Sequence, residues 1–213
     1  MPDIHLPRVE ETEQEEAPAP HARPHRTRGV LRILLEIALI ATGVFLGLAG
    51  EQWRERAHRR ELAHEALQLF RTEVETNRKA VAAVKDYHVA TLKSINEHLA
   101  TKRQGLTSPV KLEGIQPASF ERTAWDLAIS TQSLNDIDRD LAVALSRVYG
   151  AQQNYEELSR GVLQAMYLRT PSDNLDAFLA MVQLYYADIV LLEPRLLKMY
   201  EELIPLLDRA LAE

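Results

Sequence analysis

A chain of 213 residues with 46% hydrophobic content and a formal net charge of -6 has room for one domain of ordinary size and lacks the basic balance of a nucleic-acid binder, so no nucleic-acid partner is expected. It has no cysteine, which excludes disulfides, thiolate metal sites and cysteine nucleophiles. Glycine is scarce while Ala, Leu, Glu and Arg abound, so the expected fold class is all-α.

Residues 1–29 carry Pro2, Pro7, Pro18, Pro20 and Pro24 and few large apolar side chains. Such a segment cannot bury enough surface to offset its ordering entropy, and it is expected to be a disordered tail. An acidic block (Glu10, Glu11, Glu13, Glu15, Glu16) precedes a basic one (Arg23, Arg26, Arg28, Arg32). His21 and His25 among the arginines are expected to be solvated.

Residues 30–50 are the next element. As a helix they span about 31 Å, which matches a bilayer core of about 30 Å. The continuous apolar part, Ile37 to Gly50, is short enough to be a signal-peptide core. A long acidic leader and a helical pattern that begins at once with Glu51 favour a retained transmembrane helix. Arg28, Arg32, Trp53 and Arg54 fit the role of membrane-interface anchors. Arg32 stands one turn before Glu36 and can pair with it. At 100° per residue, Glu36, Ile40, Gly43, Gly47 and Gly50 share a helix face. Gly43 and Gly47 form a GxxxG motif, which allows two backbones to approach closely. Glu36, Gly43, Gly47 and Gly50 therefore make a candidate association face. Arginines flank the span on both sides, so orientation is nearly balanced; an inside tail and an exported C-terminal domain is the preferred topology.

No proline or glycine occurs between Glu51 and Gln104, so residues 51–104 are expected to continue as one long helix. Its seam runs Ala63, Leu67, Phe70, Val74, Asn77, Val81, Val84, His88, Thr91, Ile95, Leu99, in steps of four and three. That is the pattern of a coiled coil or a long helix hairpin, with either a second copy or a later segment as partner. Asn77 and His88 interrupt it, as hydrogen-bonded, register-setting contacts do. Glu61 and His64 match one half of a di-iron motif, but a surface ion pair is expected.

Residues 105–118, with Pro109, Gly114 and Pro117, are a long loop, flexible or functional by its length. Residues 119–213 read as helices. The first is expected from Ser119, its cap, with Phe120, Ala124, Leu127 and Ala128 inward. Asp136, Asp138 and Asp140 imitate a calcium loop, but Leu141 stands where glycine is needed and Arg147 where glutamate is needed. Asn135 or Asp136 is instead expected to cap a helix whose stripe runs from Leu141 through Tyr155 to Leu168, with Gly150 and Gly161 at close crossings. A turn at 169–174 precedes a last helix with Leu175, Phe178, Leu179, Val182, Tyr185, Tyr186 and Ile189 as its stripe. Pro194 is expected to break or kink it, and Pro205 to bend it. The whole of 51–213 is expected to form an antiparallel helical bundle.

"LLEIALIATGVFLGLAGEQWRERAHRRELAHEALQLFRTEVETNR" resembles the start of a family of uncharacterised bacterial single-pass membrane proteins, a domain of unknown function. There an apolar "GE-I-LIVIGI-IAL" segment runs into a Trp-Asn/Arg-Glu-Arg boundary and a long charged helix. "TAWDLAISTQSLNDIDRDLAVALSRVY" resembles that family's second block. This chain has Gly50-Glu51-Gln52-Trp53 where the family has an Asn-rich boundary. The resemblance implies a bacterial single-pass membrane protein and supplies no activity.

The chain has no nucleophile elbow, phosphate loop, zincin helix or glycine-rich dinucleotide turn. No enzyme, cofactor or metal is expected. The expected function is that of a membrane-anchored scaffold or adaptor, with the lipid bilayer and either a second copy or a membrane-protein partner as its associates. The expected place is the bacterial inner membrane, with a periplasmic C-terminal domain. The alternative is a single-span ligand-sensing module that needs a separate signalling partner.

Overall fold

Three long helices and one short one make up a computed structural model of the chain, which describes residues 26–106, 108–168 and 175–212, with side chains from residue 29 onward. The elements are α1 (Arg26–Arg103), α2 (Thr123–Ser130), a 3₁₀ turn (Ser133–Asp136), α3 (Arg139–Tyr167) and α4 (Leu175–Ala212). No strand occurs among the described residues. Helix α1 begins at Arg26, within the segment expected to be tail. The chain divides into two units between Gln52 and Trp53.

In the first unit, every residue from Gly29 to Gln52 is helical and exposed. The large side chains there have no protein neighbours to cover them, and Leu39 is 73% exposed.

The second unit buries the seam read from the sequence. Ala63, Leu67, Phe70, Val74, Asn77, Val81, His88, Thr91 and Ile95 are buried, and Val84 and Leu99 are half-buried. Later segments of the same chain cover them. Contacts between α1 and α4 run Arg71 to Asp208, His88 to Glu193, Asn96 to Gln183 and Lys102 to Asp176. The numbers rise along one helix as they fall along the other, so the pair is antiparallel. Contacts between α3 and α4 run Gln152 to Tyr200, Tyr155 to Glu193 and Ser159 to Tyr185, again antiparallel. Helices α1 and α3 are therefore parallel.

Two parallel helices need a connection that travels back along the bundle, and residues 108–122 provide it. They form an extended strap on α1. The Ser108 carbonyl accepts from His98, and the Lys111 N–H donates to Ser94 Oγ at 2.9 Å. The Tyr87 hydroxyl donates to the Gly114 carbonyl (2.6 Å) and accepts from the Glu113 N–H (3.0 Å). Asn77 binds both backbone groups of Glu121, donating to its carbonyl and accepting from its N–H, each at 2.8 Å. Ile115 and Ala118 plug into the core. Gly114 (φ +101°) takes a backbone conformation that suits glycine, and Gln116 (φ +43°) is held in the left-handed region while its carbonyl faces His88.

Several expected boundaries move for identifiable reasons. The strap persists through Glu121, so α2 starts at Thr123 rather than Ser119. Its terminus has no local side-chain cap; Glu73 of α1 accepts from the Ala124 N–H at 2.8 Å instead. Asn135 and Asp136 belong to the 3₁₀ turn, and Asp138 caps α3 by accepting from the N–H groups of Asp140 and Leu141. Leu127, Leu168 and Leu175 are exposed rather than inward. Helix α4 continues through Pro194 and Pro205. A proline costs a helix interior about 3 kcal/mol, and here Ile189, Leu196, Tyr200, Leu203 and Leu207 bury on both sides of the interruptions. Gly150 and Gly161 are not at close crossings: an added Cβ would meet nothing within 4 Å. The turn at 169–174 lies outside the described residues, as does the tail at 1–25.

Asn77→Ala should lower the unfolding free energy by about 1–3 kcal/mol, because two half-buried backbone groups of Glu121 lose their partner. Asn96→Ala, which removes an exposed contact to Gln183, should cost less than about 1 kcal/mol. Urea unfolding followed by circular dichroism compares the two, and equal losses would rule out the strap as a specific structural element.

Candidate functional site

Two features stand out from ordinary packing: the bare apolar surface of the first unit and a buried polar cluster in the second. On the first, Glu36, Gly43, Gly47 and Gly50 share one face of α1, as helical geometry requires. All four are exposed. An added Cβ at any of the three glycines would meet nothing within 4 Å, so no contact inside the chain calls for glycine there. Arg32 is exposed, and it forms no ion pair with Glu36 among the described residues. Trp53 is 75% exposed and Arg54 is also exposed. Arg28 lies in α1, but its side chain is outside the described residues. Thr42 returns its hydroxyl to the Ala38 carbonyl at 2.7 Å, which satisfies the one neutral polar side chain of the apolar run.

Two helices are long and apolar enough to cross a membrane, α1 near its start and α4. They differ in environment. The apolar window of α1 is wholly uncovered, whereas α4 places Val182, Tyr186, Ile189 and Leu203 in the bundle core.

The buried cluster is centred on His88, which is fully enclosed. Its Nε2 lies 3.1 and 3.0 Å from the carbonyls of Ile115 and Gln116. Carbonyls only accept, so Nε2 carries a proton. Its Nδ1 stands 2.6 Å from Glu193 Oε1, too close for two facing lone pairs, so a second proton lies between them. The pair is neutral overall wherever that proton rests. Oε1 also accepts from the Tyr155 hydroxyl at 3.1 Å, and Tyr155 in turn accepts from the Ala118 N–H of the strap. Glu193 Oε2 is buried without a hydrogen-bond partner. One carboxylate thus ties α1, α3, α4 and the strap together.

A second buried carboxylate, Glu73, accepts from the Tyr149 hydroxyl at 2.6 Å as well as from the start of α2. Its charge complements the positive end of that helix. Trp125 stacks on Tyr149 at 4.9 Å, which closes the site. Burial is the main cause that raises the hydroxyl pKa values of Tyr149, Tyr155, Tyr185, Tyr186 and Tyr200, with that of Tyr185 pushed up to about 12. None of these five hydroxyls is poised for proton transfer near neutral pH.

Glu61 and His64 are both exposed, and Glu61 Oε2 lies 3.9 Å from His58 Nδ1. Among the described residues, no three His, Asp or Glu side chains converge to hold a metal. Comparison with family models, curated proteins and solved structures finds no match to the chain.

Sequence reading identifies His88 and Asn77 but misses Glu73 and Glu193. A signal for both exists in the spacing. Glu193 continues Val182, Tyr186 and Ile189 along one face of α4, and Glu73 follows Ala66 and Phe70 on α1.

Removing one member of the His88–Glu193 pair should cost about 3–5 kcal/mol, and the His88→Leu/Glu193→Leu double variant should cost less than the sum of the singles. Additive losses in a denaturation cycle would contradict a direct pair.

Stability should also fall at alkaline pH. The fold favours neutral tyrosines, so their contribution is complete below about pH 10, the ordinary phenol value, and is lost as pH rises through the folded value, about 12 for Tyr185. Thermal melts between those pH values test this, and a flat melting temperature would contradict it.

Proposed function

We propose that the chain is a membrane-anchored helical scaffold or adaptor, held in a bilayer by residues 30–50, that works by association rather than by catalysis. One observation carries this reading: the apolar stretch of α1 is helical, long enough to cross, and bare on every side. In water so many uncovered Leu, Ile, Val and Phe side chains are unfavourable at about 25 cal/mol per Å². In hydrocarbon they cost nothing, and the helix satisfies its own backbone.

The face of Glu36, Gly43, Gly47 and Gly50 is where a second copy or another membrane helix would pack. Glycines there leave room for a close backbone approach. Glu36 stands near one end of the span, where a carboxylate reaches the interface at modest cost and can pair with a partner's donor. The resemblance to bacterial single-pass proteins supports a place in the bacterial inner membrane, and the short tail favours an orientation with the bundle on the periplasmic side.

Two measurements test the reading. The chain should stay with membranes after alkaline carbonate washing, and material freely soluble without detergent would rule out the anchor. Gly43→Leu and Gly47→Leu should each reduce crosslinking within membranes by several-fold, a loss of about 1 kcal/mol or more in association. Unchanged crosslinking in both variants would rule out the glycine face as the contact.

A further inference from the structure

A cleft of about 360 Å³ runs between α3 and α4. Leu158, Val162, Ala165, Met181, Leu184 and Tyr185 make its apolar walls. Glu157 and Asp188 stand at its rim. The antiparallel pairing that joins Ser159 to Tyr185 brings these two carboxylates level with each other across the helix pair. Both are exposed. Glu157 accepts only from the neutral Gln153 amide, and neither carboxylate has an ion pair among the described residues.

Gly161 lies in the same cleft, exposed, in the interior of α3. Glycine there costs about 1 kcal/mol relative to alanine. An added Cβ would meet nothing, so packing within the chain gives no reason for it. What the missing side chain does is keep the cleft open. On α4 the apolar surface continues past the cleft: Leu184 is 66% exposed and Leu191, seven residues on, is 60% exposed. Seven residues make nearly two full helical turns, so both uncovered leucines lie on one stripe of α4.

We propose that the α3–α4 cleft is the docking groove for an amphipathic helix of a partner protein, one that sets apolar residues into the groove and a Lys or Arg against Glu157 and Asp188. Charge selects this occupant. A second copy docked by the same face would bring carboxylate against carboxylate, which opposes association. A partner helix with basic residues one turn from its apolar anchors complements both. This deepens the adaptor reading by naming a surface and a partner chemistry, and it rests on that reading.

The test uses the full chain in nanodiscs of zwitterionic lipid, with empty nanodiscs as the blank. The probe is a fluorescent Leu/Lys amphipathic peptide of about 14 residues, with a Leu/Glu peptide of the same pattern as control. Saturable binding of the Leu/Lys peptide above the blank is expected, with none for the Leu/Glu peptide. Affinity should fall by about tenfold or more in Gly161→Leu, which fills the groove without changing charge, and in the Glu157→Gln/Asp188→Asn double variant. Leu184→Gln, at an exposed position and without a change of charge, gives the same readout should Gly161→Leu unfold. Affinity unchanged in the groove-filling or the charge variants overturns the proposal. So does thermal stabilisation by submicellar decyltrimethylammonium, lost in those variants, without peptide binding; that outcome assigns the groove to a small amphiphilic cation and favours the sensing alternative. Failure at the groove leaves carbonate resistance and glycine-face crosslinking untouched, so the two readings fail separately.

Discussion

The hydrogen bonding of an extended backbone by side chains of the helices around it, those of α1 above all, is the constraint on which the second unit depends. Helices α1 and α3 run in the same direction, so the chain must return along the bundle between them. A return segment inside a helical protein has no neighbouring strand to satisfy its N–H and C=O groups, and unsatisfied backbone groups are costly when buried. Helix α1 supplies most of the missing partners from its own surface, and Tyr155 of α3 and Tyr186 of α4 add to them. Asn77 imitates a neighbouring strand by meeting both backbone groups of Glu121. Tyr87, His88 and Ser94 serve residues 111–116. Glu73 finishes the run by capping α2. These polar side chains share the helix with an apolar seam, so the strap and the bundle core are specified by one element.

The same arrangement explains why the core contains charge. A fully apolar contact between α1 and α4 would bury area equally well, and ion pairs in a core are often no better than hydrophobic replacements. His88 and Glu193 do something that leucines do not: they fix which turn of α1 faces which turn of α4, and they hold the strap carbonyls at the same point. The heptad-like seam alone tolerates a slip by a turn. With the imidazole and the carboxylate both enclosed, a slipped register would part them.

Much of this fold was legible in the residues. The regular steps from Ala63 to Leu99 marked the buried face of α1, and the stripe of α4 from Phe178 to Ile189 was equally readable, because helical periodicity reports burial directly. The strap was not, because its residues have no period, and its order comes from side chains 10 to 72 positions away. The start of α2 was misplaced for that reason: its cap, Glu73, comes from another helix. Pro194 and Pro205 misled because local preference for ending a helix was outweighed by burial on either side. Of the proposed association face, the sequence reading and the helix agree on which residues share a side, since that follows from helical geometry alone. The α3–α4 cleft had only a faint sign in Gly161, a glycine in a helix that no neighbour requires.

The strap also bears on how the chain is made. Synthesis from the N-terminus releases the whole seam of α1 well before residues 175–212 exist to cover it. The first segment able to shield Val81, His88 and Ile95 on the nascent polypeptide is the one that immediately follows, residues 108–122. By folding back along the helix just completed, it would act as an internal chaperone, holding the open seam until α3 and α4 arrive from the ribosome.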